Sequence, residues 1–197
     1  MSDRETISVY DSQAADYAAM TDDHNRADPR LEAFIAACPA GGLVLDLGCG
    51  PGTSAAAMAR AGLVVEATDA SAEMVRMAAR HPGVSARQAV FSDIDAVGRY
   101  DGIWANFSLL HAPRADFPAH LSALHRALKP GGRFMIGLKL GTGEGRDRLG
   151  RYYTYYTESE LDDYLRQAGF TPVERKLGRG TGLDGSESDW ISVAAHG

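Results

Sequence analysis

The stretch Leu43-Val44-Leu45-Asp46-Leu47-Gly48-Cys49-Gly50-Pro51-Gly52 constrains this chain more than any other, because an apolar run meets three glycines and then the Ala-rich segment Thr53 to Ala61. The pattern predicts a buried strand, a tight turn and a helix N-terminus that opens onto a ligand. Gly48 and Gly50 supply the positive φ and the missing Cβ that such a turn needs where backbone approaches a ligand. A dinucleotide pyrophosphate is the usual occupant of a loop of this kind, with the pattern G-x-G-x-x-G. Here Thr53 stands at the third glycine position and Gly52 comes one residue early. Asp46, at the strand end, repels phosphate and attracts an ammonium or a sulfonium. A capping role for Asp46 is set aside, since seven residues separate it from Thr53.

A second acid lies at the end of the next apolar run, Leu63 to Asp69, about 20 residues after the first loop glycine. One carboxylate matches two adjacent ribose hydroxyls, so Asp69 reads as a ribose ligand, with capping of the helix near Ser71 as an alternative that can coexist. Ala70 and Met74 then fall beside a base, and Met74 is also suited to core packing.

Asp46-x-Gly48-x-Gly50-x-Gly52 resembles motif I of the class I S-adenosylmethionine (SAM)-dependent methyltransferases. Val65 to Met74 and Ala127 to Phe134 continue the resemblance in the family's order and spacing, over roughly residues 30 to 140. It implies a Rossmann-like, doubly wound α/β fold with a seven-stranded sheet of order 3-2-1-4-5-7-6, strand 7 antiparallel and helices on both faces. It also implies SAM as cofactor and S-adenosylhomocysteine (SAH) as product, held by Asp46, the backbone of Gly48, Cys49 and Gly50, Asp69, Ala70 and Met74. The family's usual acid after strand three is replaced here by Val90-Phe91, so adenine falls to Phe91 and Asp93. Asn106 ends the run Tyr100 to Asn106 and is expected beside the cofactor's methyl group. Asn106-Phe107-Ser108-Leu109 lacks the prolines of enzymes that methylate nucleobase or glutamine amino groups.

At 197 residues with 45% apolar content, the chain fits one domain. Residues 1–40 are expected to form a helical lid, 41–140 the cofactor-binding core, and 141–197 a substrate-side insertion with a C-terminal hairpin. A helix over Ser8 to Met20, starting at Asp11 or Ser12, carries Tyr10 and Tyr17, and the resemblance makes Tyr17 a lid residue near the chemistry. Thr21 to Pro29 reads as irregular, and His24 within it as a solvated loop histidine. His111, near neutrality and beside the acceptor by resemblance, is the general-base candidate, with loop packing as the alternative. After strand five, Lys139, Arg146, Arg151 and Tyr152, with Tyr10, suit an anionic or aromatic small molecule. The same arginines can instead pair with Glu144 and Asp147 in solvent.

The net charge of −6 weighs against nucleic acid or an anionic membrane surface as partner. No apolar run approaches the ~18 residues that span a bilayer, so no membrane is expected. Cys38 and Cys49 form no metal or redox spacing, and a reduced, cytoplasmic protein is expected. His120 and His125 fall on different sides of one helix, so no metal is expected either. The oligomeric state expected is a monomer or a weak homodimer. The reading is of a SAM-dependent methyltransferase acting on a small molecule by in-line displacement. Its rivals are an NAD(P)-dependent oxidoreductase, for which no Tyr-x-x-x-Lys pair exists, and a non-catalytic SAM-binding protein, which has no use for an open acceptor pocket.

Overall fold

The computed structural model describes residues 3–25 and 28–197, the side chains of 22–25 excepted, so the reading of His24 lies outside the described residues. The first strand, β1 (Leu43–Leu47), lies between β2 (Val64–Asp69) and β4 (Tyr100–Asn106), parallel to both, and β3 (Val84–Gln88) extends the sheet beyond β2. On the other side β5 (Leu128–Lys139) runs parallel to β4. Beyond it β9 (Glu187–His196) lies antiparallel, and β8 (Thr171–Thr181) forms the edge. The order β3-β2-β1-β4-β5-β9-β8 is the expected 3-2-1-4-5-7-6 topology, with the last main strand of the chain antiparallel.

Residues alternate between the two faces along each strand, and each face carries its own core. Val44, Trp104 and Met135 pack against α3 (Pro29–Ala37), α4 (Thr53–Arg60) and α5 (Ala72–Ala78) through Leu31, Phe34, Met58 and Ala78. Leu45, Ile103, Phe134 and Ile136 pack against α6 (Phe117–Ala127) and α7 (Glu158–Gln167) through Phe117, Leu121, Leu161 and Leu165. The Thr157–Glu160 capping box starts α7 as its sequence predicts.

Several boundaries differ from expectation, each for a local reason. The N-terminal segment is two helices, α1 (Arg4–Ser12) and α2 (Ala14–Asn25), which part at Gln13, and α1 starts early because Asp3 caps it by accepting the Thr6 amide at 2.8 Å. The stretch from Thr21 to Asn25 is therefore helical, not irregular. Strand three stops at Gln88, and Phe91–Asp93 makes a single 3₁₀ turn. Lys129-Pro130-Gly131-Gly132 sits inside β5 as a bulge, where pairing jumps from Tyr100 with Leu128 to Gly102 with Arg133. The insertion folds its own antiparallel pair, β6 (Glu144–Arg146) with β7 (Tyr152–Thr154). Gly178 and Gly180 lie in β8 opposite Trp190 and Ser188. Among the described residues, no helix is long and apolar enough to cross a membrane.

Candidate active site

The carboxyl ends of β1, β2, β4 and β5 converge on one edge of the sheet, where ligands bind in open parallel sheets. At the β1 end the chain turns through Gly48, with φ of 69°. A Cβ on Gly48 would lie 2.3 Å from Ser108 Cβ, so no other residue fits. The Gly48 and Cys49 amides both donate to the Thr68 carbonyl, at 2.8 and 2.9 Å, which ties the turn to β2. Cys49 contributes backbone only: its thiol is buried, lies against its neighbour's carbonyl and is pushed up by desolvation, so it is no thiolate.

Asp46 shares a face with Val44 and lies under the first turn of α4. The N-cap of that helix, Gly52, offers no side chain, and the Asp46 carboxylate takes the Ala55 backbone N–H instead. The sequence separation that argued against capping is closed in space by the turn. The second oxygen, Oδ2, is buried and has no donor among the described residues. Desolvation, and then the nearby Asp69 charge, push the Asp46 carboxyl up to about 7 despite the Ala55 bond.

Asp69 accepts the Gly50 amide on Oδ2 and the Ser71 amide on Oδ1, both at 2.9 Å. The cap of α5 is Ser71, whose Oγ takes the Met74 amide at 3.1 Å. Burial raises the Asp69 carboxyl, and its backbone hydrogen bonds oppose the rise. Beside it is a cavity of about 80 Å³ bounded by Asp69, Ala70, Met74, Val90, Phe91 and Ile7. Asp93 is not in this wall: its carboxylate accepts the Val90 amide at 3.0 Å.

Helix α1 is fastened at both ends. At one end Asp3 pairs with Arg146 at 2.8 Å, and Thr6 Oγ1 accepts the Tyr152 amide at 2.8 Å. At the other, Asp11 accepts the Ser71 hydroxyl at 2.6 Å and the Glu73 amide at 3.2 Å. Between them Tyr10 reaches His111, with its hydroxyl 2.8 Å from Nε2. His111 Nδ1 lies 2.6 Å from the Tyr152 carbonyl, which can only accept, so Nδ1 carries the proton and Nε2 takes the Tyr10 O–H. Arg151, 2% exposed, donates to the Tyr10 oxygen at 3.2 Å and pairs with Asp147 at 2.6 Å. Burial, with smaller contributions from Arg151 and Lys139, lowers His111 to about 4, against the pull of the Tyr152 carbonyl. The imidazole is neutral. Tyr17 packs edge-on to Tyr10 at 5.2 Å and borders the Gly48–Gly50 turn.

A larger cavity, about 550 Å³, opens from that turn and runs past Asp46 and Asn106 to the far ends of β5 and β8. Tyr10, Lys139 and Arg151 line it as the sequence suggests. Arg146 and Tyr152 do not. Arg146 faces outward to Asp3 and Glu5, and the Tyr152 ring lies under that guanidinium, only its carbonyl turning inward. Arg30, Phe107, Tyr153 and Trp190 complete the wall and were not singled out from the sequence. Arg30 pairs with Asp28 at 2.6 Å, stacks 4.9 Å from the Trp190 ring and reaches Asn106 Oδ1 at 3.4 Å. Phe107 holds φ of 54°, alone among described non-glycine residues, which turns the chain sharply off β4 into the cavity.

A family model described as a methyltransferase domain matches residues 44–132. Over 191 residues the chain is 32% identical to the malonyl-[acyl-carrier protein] O-methyltransferase of Herminiimonas arsenicoxydans, a match covering 87% of this chain and 69% of that protein. It is 37% identical over 153 residues to the ubiquinone biosynthesis O-methyltransferase of Xanthomonas axonopodis pv. citri, covering 66% of this chain and 63% of the relative. The chain thus spans about two thirds of the length of each. The Burkholderia thailandensis 1,6-didemethyltoxoflavin-N1-methyltransferase, solved with 1,6-didemethyltoxoflavin and SAH, superposes with a TM-score of 0.71 at 25% identity, covering 96% of this chain and 87% of that one. With the sheet order and the glycine turn between Asp46 and Asp69, these matches show that the chain belongs to the class I SAM-dependent methyltransferases.

Proposed function

We propose that this chain transfers a methyl group from SAM to a small-molecule acceptor, flat or anionic, bound in the larger cavity. One observation carries the reading: that cavity opens at the Gly48–Gly50 turn, beside the unpaired buried oxygen of Asp46. The residues fit the cofactor. Asp46 Oδ2 lacks a donor and an ammonium supplies one. Thr68 Oγ1 and Ser108 Oγ, at the smaller cavity, are likewise buried without partners among the described residues. Asp69 keeps lone pairs for ribose hydroxyls, with Ala70, Met74 and Phe91 around the base. When bound, SAM supplies an electrophilic methyl on a sulfonium, with a thioether as leaving group.

The protein's part is alignment, exclusion of water and handling of a proton. Lid α1 and Tyr17 close over the junction of the two cavities, and the lid's fastenings to Arg146, Tyr152 and Ser71 hold it there. His111 Nε2 and the Tyr10 hydroxyl form the pair that accepts a proton from an acceptor O–H or N–H. Residues 1–40, 41–140 and 141–197 act in this scheme as lid, cofactor core and acceptor side. The relatives are named for acceptors as different as malonyl-[acyl-carrier protein], a ubiquinone precursor pathway and 1,6-didemethyltoxoflavin. A non-catalytic SAM-binding protein would have no use for an open cavity of about 550 Å³ on the acceptor side.

The test is SAH formation from SAM with a panel of aromatic and acyl acids; turnover with none of them while SAH binds tightly would favour the non-catalytic reading. For a substrate found this way, His111→Ala is expected to lower kcat by about 10² to 10⁴ while SAH affinity by calorimetry stays within a few-fold. Tyr10→Phe, which frees Nε2, is expected to cost less. Loss of SAH affinity in His111→Ala would contradict the role.

A further inference from the structure

The acceptor cavity carries more positive charge than a chain of net charge −6 leads one to expect, and its cations are not equivalent. Arg30, Lys139, Arg151, Lys176 and Arg179 all line it. Arg30 is held by Asp28 at 2.6 Å and Arg151 by Asp147 at 2.6 Å. Lys176 lies 3.5 Å from Glu174, and Arg179 lies 3.3 Å from Glu187. Lys139 is the exception: no carboxylate lies within salt-bridge distance of it among the described residues, and its ammonium rests 4.3 Å over the Tyr153 ring. Asp184 and Asp147 act on it only from beyond that distance: Asp184 accepts the Ser186 amide and hydroxyl on Oδ1, and Asp147 pairs with Arg151. The remaining acids of the wall are Asp28, committed to Arg30, and Asp46, at the opposite end beside the cofactor turn.

The surroundings of Lys139 are aromatic. Trp190 pairs directly with Lys139 across β5 and β9, so both side chains leave the same face of the sheet. On the other side Trp190 is opposite Gly178, where a Cβ would lie 2.2 Å from the indole ring, and Gly180 follows at 3.6 Å. Two glycines in one strand thus let the indole lie flat against β8, while Arg30 covers its other face at 4.9 Å, so the ring turns its edge to the cavity. Phe107 meets its edge at 6.2 Å. The result is an ammonium over the Tyr153 ring with no carboxylate within salt-bridge distance among the described residues.

We propose that Lys139 is the specificity-determining residue of this cavity and that the acceptor is a planar organic acid, bound through its carboxylate to Lys139 in the part of the cavity walled by Phe107, Tyr153 and the edge of Trp190. The inference rests on the reading of this cavity as the methyl-acceptor site. It also explains how a histidine depressed partly by the charges of Lys139 and Arg151 can take up a proton, because an anion bound between them offsets that field and makes His111 more basic.

The experiment uses protein saturated with SAH, with calorimetry of SAH itself as the first measurement, so that failure of the cofactor site is seen separately. Benzoate, 4-hydroxybenzoate and 3,4-dihydroxybenzoate are then titrated beside the corresponding amides, into wild type, Lys139→Met and Lys139→Arg. The acids are expected to bind about ten- to a hundredfold more tightly than their amides. Lys139→Met is expected to erase that preference at unchanged SAH affinity, and Lys139→Arg to restore most of it. Equal behaviour of acid and amide in the wild type, whether both bind or neither does, overturns the proposal, as does a preference that survives in Lys139→Met.

Discussion

Asp46→Asn is expected to make the ligand-free protein more stable at pH 8 while removing most of its affinity for SAM. The Asp46 carboxyl is displaced from 3.8 up to about 7 by burial and by Asp69. Between these values the unfolded chain has released the proton and the folded chain has not. The folded state therefore loses stability as pH rises from about 4 to 7, by at most about 4 kcal/mol. Asn holds the same shape without the charge, so its advantage over the wild type should be full at pH 8 and should vanish near pH 4, which urea unfolding at several pH values can follow. Affinity should move the other way. A cationic group beside Oδ2 needs the ionised carboxylate, so SAM binding to the wild type should weaken below pH 7, by up to about tenfold per pH unit. The variant should bind weakly at every pH. A variant with neither effect would mean that Asp46 is a packing residue.

Asp69→Ala should also abolish tight cofactor binding, but with no gain in stability. Its carboxylate is already committed to the backbone on both sides, at Gly50 and at Ser71, so removing it leaves two amides without their acceptor and loosens the turn that Gly48 begins. Hydrogen bonds to a charged group are worth about 1.5 to 3 kcal/mol each, and loss of the ribose contacts alone should weaken SAH about a hundredfold or more. Asp69→Asn, which can still accept at one oxygen, should fall between. Calorimetry of SAH on the three proteins checks the order, and unchanged affinity in the alanine variant would remove the ribose role. Opposite effects on stability, with a shared loss of affinity, distinguish a buried charge awaiting a cation from a carboxylate that also holds the loop.

How much of this was legible in the sequence depends on how local the signal was. Asp46, Gly48, Gly50 and Asp69 announce themselves because a strand, a turn with positive φ and a second strand follow one another directly between Leu43 and Asp69, each with its own pattern. The order of the sheet came from resemblance alone, since nothing in Thr171 to His196 tells that β9 inserts between β5 and β8. Arg146 and Arg151 looked alike in sequence, yet β6 and β7 turn one outward to Asp3 and bury the other under Tyr10. Residues 144–146 and 152–154 carry too little apolar alternation to reveal that pair. Arg30 and Trp190, far apart in the chain, meet only through tertiary packing. Gly178 and Gly180 carry no local strand signal, and only the register of β8 on β9 places them against an indole ring.

The most direct test of the central claim, that the Asp46–Asp69 cradle holds SAM, is thermal unfolding of the protein with SAM, SAH, NAD and NADP in parallel. A ligand at 100 times its Kd adds about 2.7 kcal/mol, which for a chain of this length raises Tm by about 5 to 11 °C. The account predicts that rise with SAM and SAH and none with either dinucleotide. A rise with NAD or NADP, or no rise with SAM and SAH, would contradict it.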